Sequence, residues 1–138
     1  MKTTTLLLAL LMITFATVIH ADADTPLEKQ MQVLARGMKQ LSLQITDPAK
    51  QQENVTLIES LKQAAATSKG LDPRKTATIP KAGQEKFLTG YRTLMDKLTD
   101  SFNRVEEAVK AGQYDQAKLA LASVNSVKKE GHNEFKAD

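Results

Sequence analysis

There is no cysteine and no tryptophan in these 138 residues. Without cysteine there is no disulfide and no thiolate metal site, so stability must come from a packed core or from something bound in it. Histidine is nearly missing as well: His20 and His132 are the only two. Aromatics make up 4% of the chain and the net charge is a slight +3. No basic run alternates with aromatics, which argues against nucleic acid as a partner. No Gly-rich phosphate loop, nucleophile–base pair or pair of carboxylates suited to acid–base work stands out, so the chain does not read as an enzyme. Period-two alternation is missing throughout, which argues against strands.

What is present begins with an address. Lys2 gives a positive start, Leu6 to Ile19 is a continuous apolar run, and Ala21-Asp22-Ala23 fits a small-x-small cleavage site. The run is too short for a comfortable transmembrane helix. Residues 1–23 therefore read as a secretory signal, cleaved after Ala21 or Ala23, in place of an uncleaved anchor. Residues 24–138 form the mature domain. A short signal with no further targeting feature suggests the periplasm of a bacterium, with no stable membrane insertion after cleavage. Removing it also removes His20, leaving His132 as the one imidazole able to ligate a metal or shuttle a proton near neutral pH.

The mature part reads as four helices. Thr25, Pro26 and Glu28 form a capping box with proline at the first helical position. Leu27, Met31, Leu34, Met38, Leu41 and Ile45 then follow at steps of four and three, one stripe of a helix over about 26–45. Asp47-Pro48 opens a second helix to about 69, with Val55, Ile58, Leu61, Ala64 and Ala65 inward and Gly70 as a left-handed cap. Leu71 to Ala82 is a long basic connection, barred from regular helix by Pro73 and Pro80. Its length makes it either a flank of a site or slack. A third helix spans about 84–111, with Leu88, Tyr91, Met95, Leu98, Phe102, Val105 and Val109 inward and Phe87 beside them. After Gly112 a fourth runs over about 114–136, with Ala117, Leu121, Val124, Val127 or Lys128, Gly131 and Phe135 inward.

Short connections between amphipathic helices predict an all-α, antiparallel up-down-up-down four-helix bundle. In that topology the start of helix one lies level with the end of helix four. Met31, in the second turn of the first, and His132, in the second-last turn of the last, then share a height. A thioether and an imidazole facing each other across a bundle are the axial pair of a six-coordinate haem iron. Zinc would need more nitrogen or carboxylate ligands than one histidine brings. Copper(I) favours a tighter methionine cluster than Met31, Met38 and Met95 make. Residues 128–132 carry no C-x-x-C-H, so any haem is held non-covalently.

At this point the mature chain resembles the soluble b-type cytochromes of the cytochrome b562 family, itself one of the known up-down-up-down bundles. Leu27-Glu28-x-x-Met31-x-x-Leu34 is similar to the family's first-helix segment, whose methionine is an axial ligand. His132, with Phe135 after it, is similar to the ligand-bearing end of the last helix. Phe87-Leu88-Thr89-Gly90-Tyr91 resembles a segment that lines the porphyrin, and Ala111-Gly112 matches the turn between the last two helices. Lys128 and Gly131 depart from the family's usual arginine and tyrosine. Lys128, Arg74 and Lys75 are each able to pair with a haem propionate or to stay solvated.

The resemblance implies one non-covalent haem b, ligated by Met31 and His132 with Phe87, Tyr91 and Lys128 around it. It implies a monomeric periplasmic electron carrier that serves an unidentified periplasmic redox protein. The competing expectation is a haem-free periplasmic bundle that binds a partner protein.

Overall fold

The computed structural model describes residues 23–137; the stretch read as the export signal lies outside them, up to residue 22. Four helices follow one another: α1 (Pro26–Gln44), α2 (Gln51–Lys69), α3 (Lys81–Lys110) and α4 (Tyr114–Phe135). No strand occurs among the described residues. α1 packs on α2, α2 on α3 and α3 on α4, as expected for an up-down bundle, while α1 and α4 share few close backbone contacts and meet through the core side chains.

Local chemistry accounts for each boundary. The capping box is formed: the Thr25 side chain accepts from Glu28 N and the Glu28 carboxylate accepts from Thr25 N. Before α2, Asp47 caps a 3-10 turn over Pro48–Lys50. Gly112, at φ 69, is the one residue with positive φ among those described, and it makes the tight turn into α4. Gly70 does not adopt the left-handed cap; its φ is −84. The end of α2 instead tightens through Gly70 N to Thr67 O and Leu71 N to Ser68 O, which uses up the free carbonyls without a left-handed residue.

Two elements differ from the sequence reading. The connection after α2 contains a 3-10 helix, Arg74–Thr78, fitted between its two prolines. α3 starts at Lys81, not near 84, because Pro80 lies just outside it and launches the first turn, with Gly83 N bonding back to Pro80 O. α3 also buries Leu94, Ser101, Glu106 and Ala108 beside the expected stripe. Glu106, nearly buried, is held ionised by Lys110 and Lys62, tying α2 to α3.

Packing is uneven along the bundle. Leu41, Ile58, Phe102, Val105, Val109, Ala117 and Val124 are 0% exposed in the middle and at the end that holds the 111–114 turn, and Ala65 and Ser68 are 0% exposed near the end of α2. Towards the other end the seal loosens. Leu27 and Phe135 are 9% exposed and Met31 is only half-buried against the core. That looser end is where the sequence places the candidate site.

Candidate functional site

The site end is built by four segments. α1 brings Met31 in its second turn, and α4 brings His132 in its last. The start of α3 supplies Phe87 and Tyr91, and the 3-10 helix of the α2–α3 connection lies across the end. Two bonds from neighbouring residues of that 3-10 helix fix the arrangement. Arg74 Nε pairs with Glu28 Oε1 of α1 at 2.8 Å, and Lys75 Nζ donates to the Glu134 carbonyl of α4 at 2.9 Å. The start of α1 and the end of α4 are therefore at the same end of the bundle, as the topology requires.

Three aromatic rings meet there. Phe135 of α4 lies 5.2 Å from Phe87 and 5.7 Å from Tyr91, both tilted to it, which are favourable edge-on geometries. Gly90, one residue before Tyr91, faces the Phe135 ring; a β-carbon there would make an ordinary contact with it at 3.6 Å. Tyr91 is buried, and its hydroxyl donates to Ser68 O of α2 at 2.6 Å. Burial, with the nearby Asp72 carboxylate, raises its phenol far above the ordinary value. Tyr91 is thus an anchored ring between α2 and α4, while Phe87 stays partly open.

His132 does not point into the core. It is exposed and lines an open recess of about 590 Å³ with Lys75, Asn133, Lys136 and Ala137. That lining is polar, so the recess is the wet rim of the end and not its apolar wall. Partial loss of water lowers the imidazole pKa, and the positive charges of Lys128 and Lys136 lower it further. Both effects favour the neutral ring, the form that binds a metal. Lys128 is exposed and acts on His132 through its charge. Nearby in sequence to Lys75, Thr76 Oγ1 is buried without a hydrogen-bond partner.

Gly131 answers a question the sequence left open. The space beside it is taken by Leu94: a β-carbon at 131 would lie 2.6 Å from Leu94 Cδ2. Glycine lets α4 approach α3 closely rather than leaving room for a ligand on that face. Replacing Gly131 by Ala would gain up to ~1 kcal/mol of helix propensity. Leu94 is 5% exposed and has little room to retreat, so overpacking of about 1–3 kcal/mol should outweigh that gain. Thermal unfolding of Gly131→Ala should show a lower midpoint than wild type; a higher one would mean that Leu94 moves freely.

Comparison with known families decides the assignment: the family described as cytochrome b562 matches residues 26–136. The chain belongs to the cytochrome b562 family. Searches of curated proteins and of solved structures returned no match. Membership implies a haem-binding electron carrier and not a catalyst. Met31, Phe87, Tyr91 and His132 all lie at this end of the b562-family bundle, with Phe87 and Tyr91 packed on Phe135. The donor types suit such a group, a thioether at Met31 and an imidazole at His132, but His132 is turned to the polar rim and the recess it lines does not include Met31. No group of three or more His, Cys, Asp or Glu suited to a metal ion occurs among the described residues. Sequence reading missed two contributors, Leu94 and the bonding of the 3-10 helix. Leu94 was legible, since 91, 94 and 98 also step by three and four; partners 46 and 59 residues away in sequence were not.

Proposed function

We propose that this chain binds one non-covalent haem b through Met31 and His132 and carries single electrons in the periplasm. One observation supports the ligand choice above the others. The family fold brings the sole histidine of the described region to the same bundle end as Met31. When bound, haem supplies one-electron ferric–ferrous chemistry. Met31 and His132 would hold that group between them, which would suit electron transfer and not oxygen activation, and a thioether donor would favour the reduced state.

The surrounding residues have distinct roles. His132, kept neutral, presents its lone pair without first losing a proton. Phe87, Tyr91 and Phe135 give an apolar wall that keeps water from one side of the site. The hydrogen bond from Tyr91 to Ser68 keeps that ring from swinging into the space beside it. Lys128 keeps the potential positive at the imidazole, which favours anionic groups nearby.

No helix among the described residues is long and apolar enough to cross a membrane. With residues 1–23 read as a cleaved signal, mass spectrometry of the exported protein should find Asp22 or Asp24 first; a full-length cytoplasmic species would contradict export. The redox partner in this reading is another periplasmic protein, and the carrier is a monomer.

The functional test is a visible spectrum of the purified mature protein titrated with haem. Reduction should give the sharp bands of a low-spin, six-coordinate b-type haem at one equivalent. A spectrum indistinguishable from free haem would move the assignment to a haem-free bundle that binds a partner protein.

A further inference from the structure

We infer that Arg74 and Lys75 are positioning residues that fix the separation between the Met31 turn of α1 and the His132 turn of α4. The inference rests on the ligand reading above for its consequence, but the separation itself is a property of the protein alone.

Arg74 grips the first turn of α1. Its guanidinium forks onto Glu28, with Nε to Oε1 at 2.8 Å and an Nη2 bond to Oε2 at 3.0 Å, and Nη2 also donates to Ala23 O at 3.0 Å. Such a two-pronged pair fixes direction as well as distance. Glu28 is itself locked by the capping box, so the grip is passed to the helix and not to a loose side chain. Met31 follows three residues later. Lys75, the next residue after Arg74, holds the last turn of α4 through the Glu134 carbonyl, two residues beyond His132.

No other polar contact sets that distance. α1 and α4 share few close backbone contacts, and among the described residues no hydrogen bond or ion pair joins them directly; what they share is one apolar core, with Leu27 and Leu34 on one side and Val127 and Phe135 on the other. α1 is attached to the bundle through α2, most tightly near Leu41 and Ile45, which are 0% and 2% exposed. The α1 start, with Leu27 at 9% and Met31 half-buried, is the less anchored end. Without the brace, only the apolar packing of Leu27 and Leu34 resists a tilt of this end away from α4. The long basic connection is therefore more than slack, because its 3-10 helix spans a flank that helix packing leaves open.

The thioether is the weaker of the two iron donors, so added freedom at this flank should show first as loss of methionine. The test uses the double variant Arg74→Ala, Lys75→Met in the mature chain. Both side chains lie at the surface, and pairs of this kind contribute too little to unfold the domain. In the haem-free protein, spin labels at Lys29→Cys and Lys129→Cys report the α1–α4 distance; the chain has no other cysteine to label. The distribution should broaden to longer distances in the double variant and stay close to wild type in Lys75→Arg with Arg74 kept. The haem-loaded double variant should gain a high-spin ferric fraction and lose potential, and Lys75→Arg should do neither.

An unchanged label distance would overturn the inference. A broadened distance with a wild-type spectrum would also overturn the positioning role, since ligation would then not depend on the brace. If the wild type takes up no haem, the proposed function fails, while the label distances still decide whether the brace holds the two helices.

Discussion

His132→Ala should abolish the low-spin spectrum at any haem concentration that saturates the wild type. His132 is the one histidine of the mature chain, since His20 lies in the segment read as signal. No cysteine is present to take its place. The fold should survive the change, because His132 is exposed and donates no side-chain bond that holds α4. Circular dichroism should therefore remain that of a helical bundle while the haem bands are lost. A wild-type spectrum from this variant would show that His132 is not the ligand.

Met31→Ala should act differently. Removing one axial donor leaves the imidazole bound, so haem stays but the ferric protein becomes high-spin and its potential falls. The control is Met38, which lies seven residues on in the same stripe, about 10 Å along the helix. Met38 is 6% exposed, so Met38→Ala should cost about 2–5 kcal/mol of stability while leaving the spectrum unchanged. The contrast separates ligation from packing. Met31, half-buried, should cost less stability than Met38 and change the spectrum more. Equal spectral effects from the two substitutions would remove the case for Met31.

The helices were legible because their signals are local. Thr25, Pro26 and Glu28 name the start of α1 without help from the rest of the fold, and its six-residue stripe names the buried face. Gly112 likewise marks a turn that only a residue tolerant of positive φ makes cheaply. Gly70 looked the same in sequence and behaved otherwise, because a helix end can also be closed by tighter bonds. The prolines at 73 and 80 excluded an α-helix but not the short 3-10 segment between them. The height of His132 followed from topology, yet its exposure did not. It stands on the helix next to inward-facing Gly131, and which flank of the buried stripe faces solvent depends on how close α3 comes. The partners of Arg74 and Lys75 could not be read at all, since nothing in a charge pattern names an acceptor so far along the chain.

The uneven seal of the core separates two events in the life of the protein. The stem is closed to 0% exposure at Leu41, Phe102, Val105 and Val109, whereas Leu27 and Phe135 at the opposite end are 9% exposed. Local opening should therefore cost least at that end. Under the proposed function, filling the site would need only a local excursion and not a return to the unfolded chain.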